Sequence, residues 1–480
     1  MVNIVPAFAA LLFRQMAPLI KKQVVFLINT RAEQSSLWTA CWGAYKKVKK
    51  IKRAAAIFLV ASIWIGVDAG GAFSQSLSQE ISSLLETHDR VKAAIADVQA
   101  AEQTAIAAKG DWYPTFDATG SWGYERQNKP SGTADTAMPP KELNLSLTQQ
   151  LWDFGSSNAS IKSAKLTLDQ AQATLEATKQ GLMFEAVSAY LNVIKAKRLL
   201  DFADGSVANI KRQAELEDAR VQRGSGFSTD VLQAKTTLAG AEASRTQAQG
   251  QLRSSLNRYR AVFGRLPEDI KKMKAPRVPV EMLPTGVDEA VERSLKGNRQ
   301  LQATQIAADI AEQSIVQTKA DELFPTLNAI AEHNDKIDQG GTIGHKTENI
   351  IKVEMSYSLN LGLTARNTLK ATEFSKSAAT SRYADARDQV EEQARNAWDG
   401  LETAKENAAQ LNNQANIAAA FLELARRERQ LGNRSLIDVL AGETALINAS
   451  SQAASVETDV DIASFNLLNI MNKLTPALFE

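Results

Sequence analysis

The chain has 480 residues, a formal net charge of +1, 6% aromatic residues and a single cysteine, Cys41. A charge near zero removes the bulk electrostatic case for nucleic acid, and one cysteine excludes a disulfide framework and a thiolate metal site. No proline lies between Pro140 and Pro267, or between Pro325 and Pro476, so two very long stretches lack the strongest helix breaker.

At the N-terminus a basic run from Lys46 to Arg53 precedes an apolar run from Ala54 to Val67, and small residues surround Ala72 and Ser74. This is the pattern of a secretory signal peptide over 48–74, too short to span a membrane as a helix. Two readings of the extension 1–47 stay open: an untranslated stretch upstream of a start at Val48, or a genuine long leader. On either reading cleavage removes Cys41.

Residues 76–109 carry apolar and Ala positions at three- and four-residue spacing, which predicts helix. The period then changes to two. From Trp112 to Tyr124 one side holds Trp112, Phe116, Ala118, Trp122 and Tyr124, and the other Asp117, Thr119 and Ser121. A polar loop with prolines and glycine follows. A second alternating strand runs from Leu143 to Leu151, with Ser146 and Thr148 on its polar side. Further on, Leu323–His333 and Ile351–Leu363 repeat the pair. There Val353, Met355, Tyr357 and Leu359 alternate with Glu354, Ser356 and Ser358, and the connecting loop holds His345.

Each strand pair leads into a long helix, over 157–223 and 366–431. At 1.5 Å per residue such helices reach roughly 100 Å. Each ends at a glycine: Gly224, with Gly226 close behind, and Gly432, followed by Asn433. A glycine at this point is a helix stop. Helix resumes at Ser228 and at Ser435, the latter in a capping-box pattern with Asp438 three residues on. The two breaks are twins about 208 residues apart, each with Asp-Val-Leu six residues after its glycine. The chain is therefore internally duplicated. Repeat one covers 75–265, with a β-hairpin at 111–152 and a helical tip at 223–229. A proline-rich linker covers 266–287. Repeat two covers 288–475, with a β-hairpin at 322–364 and a tip at 431–437. A short tail covers 476–480.

An alternating hairpin fits a soluble sheet with one buried face. It also fits a transmembrane barrel, whose strands need about ten residues, apolar outside and polar inside. Here each hairpin runs straight into long helices that leave its apolar face uncovered, and a signal peptide precedes the whole. Both features favour the barrel. Four strands cannot close one, since the smallest bacterial barrels have about eight, so several chains must share it.

No catalytic pattern emerges. The histidines are His88, His333 and His345, without a Ser, His and acid constellation, and Gly224-Ser-Gly226 precedes no phosphate-binding lysine. No enzyme, metal or cofactor is expected. A secreted or periplasmic coiled-coil scaffold would explain the helices and the signal peptide, but not the hairpins.

The segments "DWYPTFDATGSWGY", "LSLTQQLWDFGSSNASIKSA", "LGNRSLIDVL" and "LNIMNKL" together resemble the TolC family of bacterial outer-membrane efflux and secretion channels, over about 76–474. Within it the chain is most similar to type I secretion components. The resemblance implies an α+β membrane protein. In it, helical hairpins form a periplasmic tube, and four strands per chain build a shared 12-stranded barrel in a homotrimer. It implies an outer-membrane channel that docks a periplasmic adaptor and an inner-membrane transporter, ABC or proton-driven. It also implies a gate at the tip, where Thr229 and Asp230 of one hairpin meet Arg434 and Asp438 of the other. Two positions depart from the family. Ala441 stands where a second acid is frequent, and Arg429 where an aromatic is sometimes found. A second acidic ring and the aromatic latch are therefore not expected.

Overall fold

The computed structural model describes residues 77–479. The signal peptide, the extension before it and Cys41 lie outside the described residues. The elements in chain order are helices α1 (Leu77–Thr87) and α2 (Asp89–Ala108), strand β1 (Thr115–Trp122), the short β2 (Glu125–Gln127) and β3 (Thr136–Met138), and β4 (Lys141–Trp152). Then come α3 (Ser156–Gln222) and α4 (Ser228–Phe263), and, after the linker, α5 (Val287–Gly297) and α6 (Arg299–Leu323). Strands β5 (Thr326–Ile337) and β6 (His345–Ser356) lead to α7 (Thr364–Gln430) and α8 (Leu436–Ile470).

The helices α3 and α7 are each 67 residues long, as proline-free runs of this length allow. They begin at equivalent places. Backbone in the left-handed region turns β4 into α3 at Gly155, φ 99°, and the chain into α7 at Leu363, φ 59°. At the first turn the buried Asp153 accepts from the backbone N–H of Ser157 and of Gly155, at 2.5 and 3.0 Å, so the new helix starts with its free donors engaged.

Strands β1, β4, β5 and β6 form one antiparallel sheet in that order. The β4–β5 pairing joins the two repeats, running from Lys141 opposite Ile337 to Trp152 opposite Leu327, with an irregularity between Gln150 and Trp152. The sheet departs from the sequence expectation in four places. Strand β5, expected over Leu323–His333, runs from Thr326 to Ile337, because Phe324 ends the preceding helix and pairing with β4 and β6 continues to Ile337. Strand β1 begins at Thr115, because 109–112 form a 3-10 turn. The polar loop after it carries the β2–β3 ribbon. Strand β6 begins at His345, inside the expected loop, and ends at Ser356, so Tyr357, Ser358 and Leu359 fall outside it. Pairing explains the shift: His345 to Ser356 match Ile337 to Thr326 residue for residue, a constraint invisible in one strand's own alternation.

The main core lies near the middle of the long helices. Leu182, Ala186, Val187 and Leu191 of α3 meet Tyr259 of α4, Leu401 of α7 and Phe465 and Leu468 of α8. Burying a large apolar side chain stabilises by about 1.5–3 kcal/mol, so this belt anchors helices that are thinly packed elsewhere. Gln180 of α3 ties in the C-terminus, donating to the Leu474 carbonyl at 2.8 Å and accepting from its N–H at 3.1 Å. The expected tail is part of this core, since Phe479 is buried 5.5 Å from the Phe465 ring. The linker is strapped to it as well, through Ile270, Met273, Met282 and Leu283. Among the described residues no helix is long and apolar enough to cross a membrane.

Candidate functional site

The far ends of α3 and α7 close in the same way. At the first tip the N–H of Gly224 bonds the Val221 carbonyl at 2.9 Å, and the N–H of Ser225 bonds that of Arg220 at 3.0 Å. At the second, Gly432 bonds Arg429 and Asn433 bonds Glu428, both at 3.0 Å. This pair of bonds is the Schellman motif. It requires the left-handed backbone found at Gly224, φ 74°, and Gly432, φ 82°. Gly226 matters for another reason: a Cβ there would lie 3.1 Å from the Val221 side chain and backbone nitrogen. The Ser435 hydroxyl accepts from the Asp438 N–H at 3.2 Å, capping α8 as its sequence pattern predicts.

Between the hairpins the contact is made by Arg429. Its Nη2 lies 3.2 Å from Oε1 of Glu217 on α3 and 3.7 Å from Oδ2 of Asp230 on α4. Its Nη1 donates to the Arg434 carbonyl at 3.2 Å, so the same side chain also braces its own turn. Glu217 is almost wholly buried and also accepts from Arg220 at 2.9 Å. Ile210, Ala214, Ala234, Leu436 and Leu440 pack α3, α4 and α8 together just above.

The expected pairing of Arg434 with Asp230 is not the one formed. Arg434 stays within its own hairpin, 3.2 Å from Glu428 and 3.5 Å from Asp438, with its guanidinium 5.3 Å from the centre of the Phe421 ring. Thr229 is exposed beside Asp230. The sequence reading passed over both members of the central pair, because it weighed Arg429 only as a missing aromatic. A signal was present. Ile210, Ala214 and Glu217 continue one helical stripe, and an acid on an apolar stripe calls for a partner.

The sheet has two chemically different faces. On one, Phe116, Leu147, Ala331 and Ile351 stand in a cross-strand row, and Val353 and Met355 follow along β6. Ile351 and Met355 are 82% and 69% exposed. On the other, Lys352 lies 3.2 Å from Glu332 and 3.0 Å from Glu354, while Lys336 bridges Glu142 and Glu348 at 3.6 and 3.8 Å. Ser146, Thr148 and Ser356 do share this polar face, but its character is ionic rather than merely small and polar. Aromatic rings gather where the sheet meets the helices: Phe154 stacks on Phe324 with centroids 4.8 Å apart, and Trp152 meets Phe154 edge-on at 6.2 Å. An apolar face bordered by such rings is the exterior of a membrane barrel.

The model of the family described as outer membrane efflux protein matches residues 81–265 and 290–473, one match to each repeat. The chain belongs to that family. It is 25% identical over 425 residues to the outer membrane efflux protein BepC of Brucella suis, covering 88% of this chain and 90% of that one. It is 22% identical over 439 residues to the outer membrane protein TolC of Escherichia coli, covering 86% of each. The alkaline protease secretion protein AprF of Pseudomonas aeruginosa is 23% identical over 403 residues, with 81% and 82% covered. Among solved structures the outer-membrane channel OprN superposes with a TM-score of 0.74 at 21% identity, covering 83% of this chain and 90% of that one.

The fold is that of these channels: an internally duplicated chain whose long helical hairpins join a sheet of four strands. The protein resides in the outer membrane, with its helical tube in the periplasm. The family is one of channels rather than enzymes.

Proposed function

We propose that the protein is the exit duct of a tripartite export system, carrying a secreted protein or small molecules across the periplasm and outer membrane. A periplasmic adaptor and an inner-membrane transporter, ABC or proton-driven, complete the system. The relatives support both cargo types, since they include efflux proteins and a protease secretion protein. The edge strands β1 and β6 carry the assembly argument. Unpaired strand edges are not tolerated in hydrocarbon, so in the membrane they must pair with neighbouring chains.

The periplasmic tip is the gate in this reading. The observation that carries it is the contact of Arg429 with Glu217 and Asp230, which fastens the second hairpin to the first at the narrow end of the tube. Asp230 takes part as an acceptor. Arg434 and Asp438 stiffen the facing turn, and Thr229 lines the approach. Opening the duct breaks the Arg429 contacts and lets the hairpins diverge from the central core belt, which stays packed.

The test is reconstitution of the purified protein in planar bilayers after fractionation. Expected are outer-membrane recovery, a trimer that survives detergent, and small conductance that rises when Arg429 is replaced. A soluble monomer, or a wide-open pore unaffected by Arg429, would overturn the reading.

A further inference from the structure

The two ends of the tube differ in charge balance. At the tip the carboxylates Glu217, Asp230, Glu428 and Asp438 are each within ion-pair distance of Arg220, Arg429 or Arg434. Ala441 adds no further acid. Local charge there is largely compensated within one chain.

The polar face of the sheet is not compensated. Antiparallel partners share a face, so the printed register fixes which side chains stand together. Asp117 is on the same face as Ser146 and Glu332, and the lysines Lys336, Lys346 and Lys352 point to that face too, each bonded to its carboxylates. Across the four strands this face bears five carboxylates, namely Asp117, Glu142, Glu332, Glu348 and Glu354, against those three lysines. Each chain thus contributes an excess of two negative charges. Asp117 forms no ion pair among the described residues and sits on the edge strand β1, while Glu354 shares its lysine with Glu332.

Because the half of the opposite face nearer the helices is apolar, from Phe116 across to Ile351 and on to Met355, the charged face lines the barrel; Asp335, His333 and His345 lie on the far half of that opposite face. The excess is then repeated three times around one lumen. Eight-stranded barrels are filled by their own side chains and those of 16–18 strands hold open water, so a barrel of about twelve leaves a narrow aqueous passage. The Debye length is about 10 Å at 0.1 M salt, comparable to the half-width of such a passage. In a lumen of that size the wall charges are only partly screened at the axis, and mobile ions of opposite sign concentrate in it.

We infer that the barrel lumen, not the periplasmic tip, makes this channel prefer cations, and that Asp117 and Glu354 are specificity-determining residues for small charged solutes. The lysine-centred ion pairs hold the wall in place, and the surplus carboxylates set its sign. This rests on the trimeric channel reading above.

The test is the reversal potential of the full trimer in planar bilayers across a tenfold KCl gradient. The unmodified channel is expected to favour potassium over chloride severalfold. D117N with E354Q, which keeps the shape of both side chains, should bring the ratio close to one. Lys352→Met should move the ratio the other way, which general misfolding would not do. Asp438→Asn at the tip should leave it nearly unchanged. Retained preference in D117N/E354Q with loss in Asp438→Asn would overturn the inference in favour of the tip. A reversal potential unaffected by any variant would overturn it as well. No conductance from any trimer, the unmodified one included, would instead sink the channel reading beneath it.

Discussion

Arg429 and Glu217 lie 212 residues apart in sequence, on different repeats, yet their Nη2 and Oε1 atoms are 3.2 Å apart at the tip of the helical tube. Glu217 retains 1% and Arg429 21% of side-chain exposure. Such a pair differs from an exposed ion pair, whose net contribution is about 0–1 kcal/mol. Removing one partner here leaves a charge in a poorly hydrated place, and hydrogen bonds to charged groups contribute about 1.5–3 kcal/mol.

Replacing Arg429 with Ser is therefore expected to open the tip while the trimer survives. Single-channel conductance should rise several-fold over the unmodified protein. Arg434→Ser should raise it less, because among the described residues Arg434 pairs only within its own hairpin. Glu217→Gln combined with Arg429→Ser should add little to Arg429→Ser alone, since both remove one contact. Equal, additive effects of all three changes would show that Arg429 is not the fastening between hairpins.

In the barrel the apolar outward-facing residues of β6 are Ile351, Val353 and Met355, with His345, Thr347 and Asn349 on the same face farther from the helices. Val353→Arg should cost about 2–4 kcal/mol near the bilayer midplane and reduce the yield of trimer. Glu354→Arg, one position on and facing the ion-lined side, should assemble at near-normal yield. Heat-modifiable mobility on unboiled gels measures both, and a reversed order would mean that the sheet is inside out.

The turn glycines should not be interchangeable with alanine. Gly224 and Gly432 hold left-handed backbone, where a Cβ costs roughly 1–2 kcal/mol. Gly432→Ala is expected to loosen the tip locally, seen as faster amide exchange and proteolysis at 428–438, with the central core unaffected. Protection unchanged at 428–438 would remove the structural role assigned to this glycine.

Asp461 of α8 gives a pH dependence. Burial raises its pKa to about 6, and nearby Glu457 adds to the effect while Arg198 opposes it. The ordinary value is 3.8. The folded protein thus holds this proton more tightly than the unfolded chain, and stability from this group falls as pH rises from about 4 to about 6. Asp461→Asn should raise the melting temperature at pH 7.5 and make little difference below pH 4. An equal shift at both pH values would assign the effect to packing rather than to ionisation.

Much of the architecture was legible in the residues alone. Proline-free runs left room for α3 and α7, and the twin glycines located both tips. These are local signals: a proline, a left-handed turn or a capping serine acts on its own neighbourhood, and the left-handed glycine turn occurs at both tips, while a serine cap is formed only at the second among the described residues. Alternation likewise separated the apolar from the polar side of β1, β4 and β6. Tertiary structure alone decided which partners meet. The start of β6 at His345 follows from pairing with Ile337, and the joining of the repeats follows from β4 lying beside β5. At the tip the sequence offered several arginines and acids within a few residues of each glycine. Coulomb attraction is non-directional and does not choose among them. The choice of Arg429 for Glu217 and Asp230 comes from how Ile210, Ala214, Leu436 and Leu440 set one hairpin against the other, which leaves one arginine facing across and turns the next back on its own hairpin.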